Sequence, residues 1–160
     1  SKSFASLGGF IATDKEITNF LRHHSRSYIF TASITPASTA ACLAAIDILE
    51  KEPERQEHLW ELTNYALEGF RSMGFEIGNT STPIIPLFIR DDFKTFAITH
   101  DLLEDGVFVN PVVTPAVAPE DTLIRFSLMA THTREQVTTA LEKIAKVFRK
   151  YKLIPEESAL

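Results

Sequence analysis

Thr122-Leu123-Ile124-Arg125-Phe126-Ser127-Leu128-Met129, followed within four residues by Thr133-Arg134-Glu135-Gln136, is the stretch on which the fold turns. In its first part Ile124, Phe126 and Leu128 fall on one face and Arg125 and Ser127 on the other, the period of a strand buried on one side. In its second part a threonine precedes a glutamine by three residues, the pattern of a capping box. Val137, Ala140, Leu141, Ile144, Val147 and Tyr151 then recur at helical spacing. One strand and one amphipathic helix cannot bury each other's apolar faces alone, so further elements have to join them.

Pro53 is a boundary, because the residue before a proline is biased away from helix. A helix is predicted from there to Met73, with Leu59, Leu62, Ala66 and Phe70 inward and Gly74 as its left-handed cap. Residues 84–89 read as a strand in which Pro86 implies an edge or a bulge. Asp91 or Asp92 caps a helix to about Glu104, and Asp105-Gly106 ends it. Residues 107–109 read as a short strand, and 110–121 as a loop with three prolines. Helix, strand, helix, strand, strand, helix gives a small α+β domain over 53–160, a short antiparallel sheet with helices on one face.

Residues 1–52 read differently. Thr13-Asp14-Lys15-Glu16 has the form of a capping box and opens a helix over 14–25, followed by an extended piece at Tyr28-Ile29-Phe30-Thr31. Pro36 suits the first turn of a long helix with Cys42, Ala45, Ile46 and Leu49 as its apolar stripe and Ala37, Ala40, Ala41 and Ala44 as a small-residue face. Phe10-Ile11-Ala12 looks like a strand with no partner upstream. That strand and the face of Phe20 and Leu21 are expected to be exposed or borrowed by another chain, and the sequence is read as a C-terminal fragment.

Composition narrows the function. A formal net charge of −5 with no basic stripe argues against a general nucleic-acid binder. The one dense basic stretch, 143–152, alternates with apolar residues and reads as the wet side of a helix. Cys42 is the only cysteine, which excludes an internal disulfide. No metal-ligand spacing is present, and no apolar run is long enough for a bilayer, so a cytoplasmic protein is expected. His132, just ahead of a helix start, reads as structural.

Lys2 is either a solvated surface lysine or one set among ligand-binding groups. Ser1 and Ser3 flank it and Gly8-Gly9 follow, which suits a backbone approaching a phosphate. Arg125, on the polar face of an otherwise buried strand, suits bidentate carboxylate recognition, the alternative being a solvent-facing strand arginine.

Three blocks resemble one family. Ser1-Lys2-Ser3 with Gly8-Gly9 is similar to the cofactor-lysine motif of the pyridoxal-phosphate-dependent α-oxoamine synthases, with its leading threonine cut off. The stretch Arg26-Ser27-Tyr28-Ile29-Phe30-Thr31-Ala32-Ser33-Ile34-Thr35-Pro36 is similar to the family's Arg-x-(aromatic)-x-Phe-(Thr or Ser)-x-Ser-x-x-Pro segment. Arg125 to Thr133 looks like its closing Arg-x-x-x-x-Ala-x-His-Thr.

The resemblance implies a fold-type I α/β parent, of which 1–52 would be the end of the large cofactor domain and 53–160 the small C-terminal domain. It implies pyridoxal 5'-phosphate held by Lys2, with Ser1, Ser3 and Thr31 as cofactor-binding residues, Thr31 reaching the phosphate from the opposite subunit of a homodimer. Lys2 would also act as base at the substrate α-carbon, and Arg125 would hold the substrate carboxylate. The reaction implied is condensation of an amino acid with an acyl-CoA. Residues 105–113 and 123–133 look most like the branch that joins L-serine to a long-chain acyl-CoA. Val113 and Ala116 stand where the oxononanoate-synthase branch carries an arginine and a threonine, and some members of the serine branch also carry that arginine; the oxononanoate-forming and glycine-acylating branches are the alternatives. A lysine-less, non-catalytic subunit is the alternative of another class, against which Lys2 speaks. The aspartate that would pair with the cofactor ring nitrogen is expected upstream, so this chain alone is expected to be inactive.

Overall fold

The computed structural model describes residues 2–156, which divide between Pro53 and Glu54 into two compact units.

The first unit carries three helices, α1 (Lys15–His24), α2 (Arg26–Phe30) and α3 (Pro36–Lys51). The capping box expected at its start does not form. Asp14 is the N-cap of α1 but makes no side-chain cap bond, and Thr18 turns its hydroxyl back to the Thr13 carbonyl at 3.4 Å. Residues 10–12 are not a strand, and Phe10 and Ile11 are exposed. The extended piece expected at 28–31 is instead α2, with only Thr31 extended at its C-cap. The hydroxyl of Ser25 accepts from the Tyr28 N–H at 3.3 Å, and this local cap outweighs the strand preference of the aromatic and branched residues after it. α3 starts as read, with Pro36 in its first turn and the Thr35 hydroxyl accepting from the Ser38 N–H at 3.2 Å. No residue of these three helices is buried.

The second unit runs α4 (Glu54–Ser72), β1 (Ile84–Phe88), α5 (Asp92–Glu104), β2 (Asn110–Val112), β3 (Leu123–Ser127) and α6 (Arg134–Lys150). Its sheet has the order β1-β3-β2 and is antiparallel throughout, so β3 is central and both prolines, Pro86 and Pro111, sit on edge strands. Asp91 caps α5 through the Lys94 N–H at 2.9 Å, and the box at the start of α6 is complete. The Thr133 hydroxyl accepts from the Gln136 N–H at 3.2 Å, and the Gln136 carboxamide oxygen from the Thr133 N–H at 2.9 Å. Gly74, at φ +83°, ends α4 and lets the Phe75 N–H reach back to the Phe70 carbonyl at 3.0 Å.

The core lies on the helix side of the sheet. Phe70 is fully buried and meets Phe75 and Phe126 edge-on at 5.0 and 5.2 Å between ring centres. Gly69 explains how α4 and α6 close on it, since a Cβ there would stand 2.9 Å from the Leu141 Cδ1.

Two polar ties close the rim. Arg90, at φ +63°, forms a bidentate pair with Glu76 and reaches the Glu120 carbonyl. Asp101 on α5 accepts from Lys150 at 2.7 Å and from the Tyr151 hydroxyl at 3.0 Å, both just past the end of α6 or in its last turn. The Lys150 bond, then the Tyr151 bond, hold the Asp101 carboxyl below the usual aspartate range. A carboxyl whose folded pKa is depressed stabilises the fold above its unfolded pKa and stops doing so as pH falls through the folded one. Asp101→Asn is therefore expected to melt slightly below the parent chain at neutral pH, with the gap closing below the ordinary aspartate range. A gap that does not change with pH in thermal melts would mean that the tie contributes no charge-dependent stability.

Candidate cofactor and substrate site

In the first unit Lys2 opens a tight turn in which its carbonyl accepts from the Ala5 N–H at 2.9 Å. Two contacts lay this loop on the first turn of α3 and the residues just before it. The Ser6 hydroxyl donates to the Ser38 carbonyl at 3.1 Å, and Gly8, at φ +104°, lies so close to Ile34 that a Cβ would meet it at 3.4 Å. At Gly9 a Cβ would meet nothing within 4 Å, so the second glycine borders open space. Lys2 and Ser3 are exposed, as is Thr31 at the end of α2. Among the described residues their side chains make no hydrogen bond or ion pair with one another or with a neighbour. Ser1 lies outside the described residues. Ser6, which anchors the loop, was not singled out from the sequence. A hydroxyl six positions into a glycine-containing loop carries no signal until its partner helix is placed.

The donor set of this loop fits pyridoxal phosphate. A primary amine is what the cofactor's aldehyde requires, the uncommitted Ser3 hydroxyl suits its phosphate, and a glycine bordered by open space lets backbone approach it.

In the second unit the period-two reading of β3 holds. Ile124 and Phe126 are buried, while Arg125 and Ser127 are exposed on the other face. Arg125 pairs across the sheet with Asn110 on one side and Pro86 on the other. The short strand expected at 107–109 is displaced to Asn110–Val112. Its cause is visible at Gly106 (φ +83°), where the turn sends the Val107 N–H back to the Leu102 carbonyl at 2.8 Å and delays pairing with β3. Residues 107–109 leave a cleft of about 630 Å³, bounded by the end of β3 and the first half of α6 and lined by Arg125, Asn110, Ser127, Phe108 and Met129 among others.

His132 also borders the cleft, but its role is internal. Its Nδ1 accepts from the Met129 N–H at 3.1 Å, and its carbonyl lies 3.0 Å from the Nε2 of His58. Lys143, at the far end, is committed to the Asp105 carbonyl. No cluster of metal-ligating side chains occurs among the described residues, and none of their helices is long and apolar enough to cross a membrane.

Known proteins place this arrangement. The family described as aminotransferase class I and II matches residues 1–144. A serine palmitoyltransferase of Bacteroides thetaiotaomicron is 58% identical over 154 residues, covering 96% of this chain and 39% of the relative. An 8-amino-7-oxononanoate synthase of Symbiobacterium thermophilum is 39% identical over the same length, with the same coverage. Among solved structures, a Sphingomonas wittichii serine palmitoyltransferase superposes with a TM-score of 0.83 at 32% identity, covering 96% of this chain and 39% of that one. A second, a serine palmitoyltransferase with its pyridoxal phosphate as internal aldimine, does so at 0.84 and 31%, again over 96% and 39%. This chain thus spans about two fifths of the length of the relatives it matches. The motifs around Lys2, Thr31 and Arg125, the small antiparallel sheet with its helices and these likenesses lead to one conclusion: the chain belongs to the aminotransferase class I and II family, in the company of its α-oxoamine synthases, and the cofactor that goes with it is pyridoxal phosphate.

Proposed function

We propose that this chain is the C-terminal part of a pyridoxal-phosphate-dependent acyltransferase that condenses L-serine with a long-chain acyl-CoA. The observation that carries the choice of substrates is the gap in identity over the same 154 residues, 58% to a serine palmitoyltransferase against 39% to an 8-amino-7-oxononanoate synthase. The amino acid loses its carboxylate as CO2, its α-carbon bonds to the acyl carbon, and the CoA thiolate leaves with a proton. Bound cofactor supplies an electron sink for the charge that develops at the α-carbon.

The residues of this chain take the remaining roles. The Lys2 amine holds the cofactor covalently and, once released, moves the proton at the substrate α-carbon. Ser1, Ser3 and Thr31 supply hydroxyls for the phosphate, Thr31 to the opposite subunit of a homodimer. Arg125 forks the substrate carboxylate with two parallel N–H donors. Lys2 is exposed in this chain, whereas an amine that must lose its proton works best desolvated, so the rest of a longer protein has to cover it. The enzyme so described would work in the cytoplasm.

The test is a substrate panel on the full-length protein: serine, glycine and alanine, each with short-chain, pimeloyl and palmitoyl thioesters. Serine with palmitoyl thioester is the expected best pair. A preference for alanine with pimeloyl thioester would overturn the proposal in favour of an oxononanoate synthase, and one for glycine with a short acyl group in favour of a glycine acyltransferase.

A further inference from the structure

The sequence marks Asn110 only as the first residue of a proline-containing loop; the structure makes it the cross-strand partner of Arg125. Pro111 and Pro86 lack an N–H, so the positions they hold opposite Ile124 and Arg125 are non-hydrogen-bonded sites of their two ladders. Arg125 therefore exchanges its backbone bonds with Asn110, and paired residues carry their side chains on one face with Cβ atoms about 5 Å apart. A slip of β2 by one residue would put Pro111 in a donor position and turn Asn110 to the core, so this register is strongly fixed.

Both side chains are exposed on that face, both line the 630 Å³ cleft, and neither has a hydrogen-bond or ion-pair partner among the described residues. Phe108, 77% exposed, and Met129, 57% exposed, give the cleft an apolar border. Of the other charged groups lining it, Lys143 is committed to the Asp105 carbonyl, and Glu135 sits in the first turn of α6. A guanidinium with five N–H donors beside a carboxamide with two offers an excess of donors at an apolar border. A small planar anion with two oxygens matches that set.

We propose that Asn110 is a second specificity-determining residue for the amino-acid carboxylate, donating from Nδ2 to an oxygen that Arg125 also holds. This rests on the amino-acid substrate proposed above. The test compares Asn110→Ala, Asn110→Asp and Arg125→Lys in the full-length holoenzyme, reading kcat and KM for L-serine and for the acyl thioester, cofactor content, and binding of L-serine against L-serinamide through the cofactor's visible absorbance.

Asn110→Ala is expected to raise the KM for L-serine about 10-fold, as for a lost hydrogen bond to a charged acceptor, with L-serinamide binding, thioester KM and cofactor content unchanged. Asn110→Asp is expected to cost more, because its carboxylate competes for the same guanidinium. If the alanine variant fails to fold, Asn110→Ser, which keeps a donor, carries the comparison with a smaller loss. An unchanged L-serine KM in the Asn110 variants while Arg125→Lys raises it overturns the role of Asn110 alone. If Arg125→Lys also changes nothing, carboxylate recognition at this cleft falls with it.

Discussion

Replacing Lys2 with alanine in the full-length protein is expected to abolish covalent cofactor retention and with it the visible absorbance of the bound group. Loss of proton transfer alone would cost about 10²–10⁴-fold in turnover, and loss of the anchoring bond adds to that. The measurement is borohydride reduction of the parent protein followed by peptide mapping, with the cofactor's mass expected on Lys2. The isolated 160-residue chain, in which Lys2 is exposed, should label weakly and without preference among its lysines. A reduced adduct on any other lysine of the parent would remove Lys2 from the mechanism and leave the resemblance at its N-terminal block without chemical content.

Phe70→Ala is the second large effect, and it concerns the fold that holds Arg125. Phe70 is fully buried and stacks edge-on with Phe75 and with Phe126, the inward neighbour of Arg125 on β3. Truncating such a ring removes its transfer energy and leaves a cavity, for a cost of about 3–5 kcal/mol. For a unit of this size that corresponds to a fall in Tm on the order of 15 °C or more, readable in thermal or urea unfolding of the chain itself. Phe70→Leu should lose distinctly less, because most of the volume is kept. A loss below about 1 kcal/mol for the alanine variant would mean that the core is not organised around this ring.

How much of this was legible beforehand can be argued from single residues. The face on which Arg125 stands followed from the alternation of Ile124, Phe126 and Leu128 about it, because a strand with one buried side has no other register for those residues. The capping box before α6 and the proline start of α3 were equally plain, since each is a bond or a missing donor within four residues of chain. The motif around Lys2 was readable only as a resemblance. Lys2 is exposed, and among the described residues its amine has no hydrogen-bond or ion-pair partner that would single it out.

The failures were local competitions that sequence cannot arbitrate. Tyr28-Ile29-Phe30 has the composition of a strand, but a strand needs a partner to take its backbone bonds, and the Ser25 hydroxyl offered a helical turn instead. Thr13 and Glu16 have the spacing of a capping box, yet the hydroxyl of Thr18 turned back to the Thr13 carbonyl and no side chain caps Asp14's helix. By its own residues the sequence determined the helix starts at α3 and α6, the buried face of β3 and the family. Tertiary structure alone decided that β2 pairs at Asn110–Val112 rather than at 107–109, and so which residue stands beside Arg125. Pairing register is a long-range choice, made here by the turn at Gly106 and by two prolines that cannot donate a ladder bond, Pro111 in β2 itself and Pro86 across β3.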